Sequence, residues 1–109
     1  MLEFMDAYAL WRAAPVPRGG PLDEARQTRS ELMVADYYVS TVVRFVEMGQ
    51  FKPAGPDVLD FLDKLMARID KLIEEGDPET REIARHQHAY AALQRLVYSQ
   101  FLELGSRQS

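Results

Sequence analysis

The chain contains no cysteine, which removes disulfide staples, thiol nucleophiles and the zinc sites built on thiolate spacing. A reducing, cytoplasmic setting is the expectation. Basic clusters are missing too. The formal net charge is −4, and residues 57–76 hold six acids against three bases. Nothing forms a positive stripe able to track phosphates, so nucleic acid is not an expected partner. The six glycines, at 19, 20, 49, 55, 76 and 105, are scattered as breaks and caps and build no phosphate-binding loop.

Long hydrophobic runs are also lacking. The most apolar stretch, residues 32–48 (LMVADYYVSTVVRFVEM), carries Asp36, Arg44 and Glu47, whereas a membrane span needs about 20 predominantly apolar residues. The opening MLEFMDAYALWRAAP has Glu3 and Asp6 where an export signal carries bases ahead of an apolar run. No membrane association is expected. No segment alternates apolar and polar residues over strand length, so the chain reads as all-α.

At 109 residues the chain suits one domain with one modest core, burying about two-thirds of its unfolded surface. The expected architecture is a small antiparallel helical bundle of three long helices plus a short N-terminal helix. Residues 1–14 form a docking helix in which Phe4, Met5, Tyr8 and Trp11 share a face. It acts either as a lid on its own core or as an arm exchanged between subunits. PVPRGGP, residues 15–21, is a linker whose prolines and glycines deny regular structure.

The bundle helices are predicted at 22–48, 57–75 and 78–104. Asp23 is placed to cap the first, and its opening turns, LDEARQTRSE, are polar enough to protrude. Gly49 supplies a left-handed cap, and Phe51 in the following loop is expected to plug the core. Asp57 caps the second bundle helix, which is strongly amphipathic. Asp77-Pro78 begins the third at once, and Gly105 ends it, leaving SRQS to fray.

Residues 32–48 are expected to be the central helix. At 100° per residue, Val34, Tyr37, Phe45 and Met48 widen the arc of Leu32, Ala35, Tyr38, Val39, Val42, Val43 and Val46 to roughly 280°. Asp36, Ser40, Arg44 and Glu47 are left as the polar stripe. One small chain cannot cover so broad an arc, so a second copy, making a homodimer, or another protein is the expected partner. The candidate interface is Phe4, Tyr8, Trp11, Met33, Tyr37, Phe45 and Met48. Burying about 500 Å² at Met33, Tyr37, Phe45 and Met48 yields a gross gain of about 12 kcal/mol before association entropy is subtracted.

Chemistry has few candidates. His86 and His88 point about 160° apart on a helix and cannot share a metal. Glu82 and His86 share a face, but Arg85 stands where a paired Glu-x-x-His bundle motif needs its histidine. The expectation is therefore no metal and no cofactor. His86, Gln87 and Gln94 fall in the inward sector of the last helix, either as hydrogen-bonded interior groups that fix register or as contacts for a small ligand. Ser30, Ser40 and Ser99 lie in no nucleophile elbow. A non-catalytic protein acting through association is the primary reading. The alternative is an inhibitor, immunity or antitoxin-like module presenting Asp60, Asp63, Asp70, Glu74 and Glu75 to a basic partner.

Overall fold

The computed structural model describes residues 3–53 and 56–108. They form four helices, α1 (Phe4–Ala13), α2 (Asp23–Glu47), α3 (Val58–Glu75) and α4 (Pro78–Gln108), with no strand among the described residues. This is the all-α bundle of one short and three long helices that the periodicity predicts. The expected helical residue Leu2, the break at Gly55 and the final tail residue Ser109 lie outside the described residues.

Local chemistry explains the boundaries of α3. The Asp57 carboxylate accepts the Asp60 N–H at 3.0 Å, meeting one of the donors that a helix start leaves unpaired. Val58, Leu62, Leu65 and Ile69 are buried on one side, at the spacing of a single helical face. Asp77 repeats the capping device for α4, accepting the Thr80 N–H at 2.8 Å. That bond, with a second from the Thr80 hydroxyl, holds the Asp77 carboxyl below its usual range.

The shared element is α4 rather than residues 32–48. It packs against α1, α2 and α3, whereas α2 packs against α3 and α4. Its sequence carries three rows at spacing seven: Thr80, Gln87, Gln94 and Phe101; Ile83, Tyr90 and Val97; and Ala84, Ala91 and Tyr98. All of them are buried. Three adjacent rows give a helix three neighbours. The alanines supply the flank that large apolar residues alone do not reveal.

Side-chain contacts fix the helix directions. Gln87 Nε2 donates to Ala25 O at 2.9 Å and Gln94 Nε2 to Leu32 O at 3.0 Å, so a step of seven along α4 matches a step of seven along α2 and the two run parallel. Arg95 meets Asp63 at 2.6 Å and His88 meets Asp70 at 3.3 Å, so α3 runs the opposite way. The result is an up-down-up bundle measuring 47 × 24 × 20 Å.

The short α1 docks on its own chain. Phe4, Ala7 and Trp11 are buried, and the Trp11 ring meets Tyr90 edge-on with centroids 6.3 Å apart. Met5, assigned to the same face from sequence, is 61% exposed. The buried spacing is three and four through Ala7, which leaves Met5 on the opposite side. The linker then runs back along α4, where Arg18 O accepts from Gln87 Nε2 at 2.9 Å and Pro17 O from Arg29 Nε at 3.1 Å.

That linker explains a second correction. The first turns of α2 do not protrude, because Ala25 and Thr28 are buried. Their small side chains admit α4 closely, and the Thr28 hydroxyl is satisfied by Glu24 O at 2.8 Å. Asp23 is not the cap either. Leu22 occupies that position without a side-chain bond, and Asp23 lies inside the helix, paired with Arg26.

At the other end of α2, Gly49 adopts φ +74°. Gln50 N–H bonds Phe45 O at 2.8 Å and Gly49 N–H bonds Val46 O at 3.0 Å, the paired closure that a left-handed glycine permits. Gly105 does not stop α4, which continues to Gln108. The glycine is there for proximity: a Cβ on it would lie 2.4 Å from Phe51 O. The loop thus crosses α4 at a point only glycine allows, and Phe51 is half-buried beside it. Among the described residues no helix is long and apolar enough to cross a membrane.

Candidate functional site: the outer face of α2

The apolar arc of α2 is divided rather than wrapped. Leu32, Ala35, Val39, Val42 and Val43 are buried, while Val34 is 44%, Tyr37 70% and Met48 62% exposed. The 280° expectation placed Asp36, Ser40, Arg44 and Glu47 toward solvent. Instead, Asp36 and Ser40 are half-buried, and Asp36 Oδ2 accepts the Tyr90 hydroxyl at 2.8 Å. A phenol buried in the core needs an acceptor, and Asp36 supplies it. The polar stripe thus turns partly inward, and apolar side chains take the outer face.

The electrostatics of that clasp are clear. Burial first, then the hydrogen bond and charge of Asp36, push the Tyr90 hydroxyl up to about 12. The protonated phenol is the form that the fold requires. Ser40 Oγ also approaches Asp36, at 3.2 Å. With Trp11 packed on Tyr90, one cluster ties α1, α4 and α2 together beside the outer face.

The exposed face is ordered. Tyr37 meets Tyr38 edge-on at 5.8 Å, and Tyr38 meets Phe61 of α3 at 6.5 Å. A ladder of three rings therefore leads from solvent into the bundle. Thr41 is half-buried with its hydroxyl bonded to Tyr37 O at 2.8 Å, so it presents mainly a methyl group. Arg44 is exposed and has no ion-pair partner among the described residues. Val34, Tyr37, Thr41, Phe45 and Met48, spaced three, four, four and three, form the outward row.

No family model, curated protein or solved structure matches the chain. Its function therefore rests on this geometry.

The residues singled out from sequence divide accordingly. Tyr37 and Met48 lie on the exposed face, with Phe45 and Met33 half-buried at its margins. Phe4 and Trp11 belong to the chain's own core at 3% and 1% exposure, and Tyr8 is half-buried against Trp11 at 6.1 Å. These three anchor α1 to its own chain. Beside Tyr37, the outer side of α2 also carries exposed Val34 and Arg44 and half-buried Thr41. Val34 and Thr41 belong to the 3-4-4-3 spacing of the outward row.

Gln87 and Gln94 are fully buried, and their amide N–H groups are spent on Arg18, Ala25 and Leu32 carbonyls. His86 is not with them. Its side chain is 61% exposed and its Nε2 lies 3.1 Å from Glu82, because Gln87, one residue on, takes the inward position. No group of three or more possible metal ligands occurs among the described residues.

Part of the acidic helix is engaged within its own chain. Asp60 pairs with Lys64 at 3.0 Å and Asp63 with Arg95 at 2.6 Å, and Asp70 lies 3.3 Å from the His88 ring, while Glu74 and Glu75 have no ion-pair partner among the described residues. The bond from Arg95 to Asp63 also holds the guanidinium proton more tightly. A cleft of about 490 Å³ opens between the first turns of α2 and the last turns of α3, lined by Leu22, Gln27, Arg68, Lys71 and Glu75 among others. It mixes both charge signs, and Arg68 is engaged with Glu31.

Proposed function

We propose that this chain is a non-catalytic helical protein that works by association, with the outer face of α2 as its working surface. The single observation behind this reading is the row of exposed Val34, Tyr37 and Met48 on a helix whose opposite side is fully committed to the core. Isolated apolar residues on a surface are ordinary, but a contiguous ordered row marks a contact surface.

The magnitude indicates what kind of contact this is. Fully burying one such side chain stabilises by about 1.5–3 kcal/mol. Scaled by the exposures of the three, this side of an interface contributes about 4 kcal/mol, and a matching partner about as much again. Association costs of at least about 4 kcal/mol come off that gross sum. The at most about 4 kcal/mol that remains corresponds to reversible contact near the millimolar range rather than a permanent assembly. That is smaller than the gain expected from sequence, because Met33 and Phe45 are already half-buried within the chain.

A photo-reactive side chain in place of Tyr37 tests the reading in the native host. It is expected to give a discrete protein adduct, with the chain itself or with another protein, that the same probe at exposed Ala67 on α3 does not give. Equal or absent labelling at the two positions contradicts an association role for this face.

A further inference from the structure

We propose that the cleft between the opening of α2 and the end of α3 binds a short zwitterionic peptide of two or three residues, its amine at the outer end and its carboxylate further in. The inference is independent of the outer face of α2. Its basis is the register of the two helices. Glu31 of α2 pairs with Arg68 of α3, and Tyr38 meets Phe61 at 6.5 Å, so a step of seven forward on α2 is matched by seven backward on α3. The same step taken the other way sets Glu24 opposite Glu75, with Gln27 opposite Leu72 and Thr28 opposite Lys71 between. All six of these residues line the cleft.

The cleft is therefore polar along its length. At the outer end two carboxylates face each other, and neither Glu24 nor Glu75 has an ion-pair partner among the described residues. Like charges set opposite one another are relieved by a cation placed between them. Further in, Lys71 is exposed and also unpaired among the described residues, while the Arg68 guanidinium is anchored by Glu31, one oxygen of which is buried. That anchor leaves most of the guanidinium donors for a second carboxylate. Between the two ends, half-buried Leu72 and 40% exposed Leu22 supply an apolar wall. Gln27 is exposed, and its amide can both donate to and accept from a peptide group.

The distance between the charges selects the length of the occupant. At 1.5 Å per residue, Glu75 lies about 6 Å along the helix from Lys71 and about 10 Å from Arg68. An extended chain spans about 3.5 Å per residue, so two or three residues match and a single amino acid falls short. A divalent cation alone would answer the two glutamates and leave Lys71 and the apolar wall without a role. A simple carboxylate would leave the glutamates repelling. The cleft volume of about 490 Å³ is within the range of small-molecule sites.

Amide chemical-shift mapping on the full chain with alanyl-leucyl-alanine tests the proposal. Because ion pairs at exposed groups are weak, the tripeptide is expected to give saturable shifts with a Kd near the millimolar range, confined to the first turns of α2 and the last turns of α3. Acetylating its amine or amidating its carboxylate is expected to weaken binding about fivefold each. Glu75→Gln should abolish the effect of acetylation and Lys71→Gln that of amidation, and both positions are exposed, so the bundle stays folded. Absence of saturable shifts, equal binding of the capped peptides, or free leucine binding as tightly overturns the proposal. A stronger response of the same amides to calcium than to the tripeptide also overturns it, by placing a metal between the two glutamates.

Discussion

The two buried glutamines of α4 offer a test in which similar substitutions have opposite signs. Gln94 donates one hydrogen bond, to Leu32 O at 3.0 Å, and its Oε1 has no partner among the described residues. Replacing it by leucine of similar volume loses about 1 kcal/mol for the bond and removes an unsatisfied buried carbonyl that costs about 1–3 kcal/mol. Added apolar burial takes the net to a stabilisation of about 1 kcal/mol, or about 5 °C in Tm for a domain of this size. Gln87 also has an unpartnered Oε1, but its amide makes two bonds, one of them to Arg18 O in the linker. Gln87→Leu loses both and strands the linker carbonyl, for a net cost of about 1–2 kcal/mol. Urea titrations of both variants are expected to show midpoints shifted in opposite directions with unchanged slopes. If Gln94→Leu destabilises as much as Gln87→Leu, the Gln94 carbonyl is satisfied in solution and the reasoning fails.

Tyr90 predicts a specific alkaline weakness. Its folded value of about 12 stands above the ordinary value of 10, so the unfolded chain releases this proton first. Stability is full below about pH 10 and falls as pH rises toward 12, by about 2 kcal/mol. Tyr90→Phe is expected to lower stability near neutral pH by about 1–2 kcal/mol, through the stranded Asp36 carboxylate, and to flatten the alkaline decline in denaturation midpoints. Asp77 acts at the other end: its carboxyl is held low, so its capping contribution is present above about pH 4 and lost on acidification. Asp77→Asn should weaken the acid dependence of the melting temperature. Gly105→Ala forces a methyl against Phe51 O and is expected to cost about 1–3 kcal/mol by thermal melt despite alanine's better helix propensity. Finally, the Tyr37 photo-adduct in the native host is expected to hold or strengthen as salt is raised, because apolar burial is not screened. Steep salt-induced loss of the adduct would instead favour the acidic-helix alternative.

Much of the fold was legible because local signals agreed. Asp57 and Asp77 announce helix starts, Gly49 a left-handed stop, and the repeat in α3 its buried side. What stayed hidden were choices set by neighbours. Asp36 and Ser40 looked like a solvent stripe because nothing local reveals that Tyr90, 54 residues away, donates to Asp36. The polar opening of α2 concealed its docking because small Ala25 and Thr28 carry little hydrophobic signal. Gly105 looked like a terminator because close approach by Phe51 leaves no trace in composition. For the candidate site, Tyr37 and Met48 were readable as apolar excess, but which of the excess remains uncovered depended on the rotation of α2, fixed by Gln87, Gln94 and Tyr90.

Photo-crosslinking from Tyr37 in the native host, with and without Val34→Glu and Met48→Glu, tests the central claim most directly. Val34 and Met48 are 44% and 62% exposed, so the substitutions leave the bundle folded and place charges at both ends of the apolar row. The account predicts a discrete adduct that the two charges abolish while the chain stays equally helical by circular dichroism. No adduct, or one that persists with both charges in place, contradicts the account.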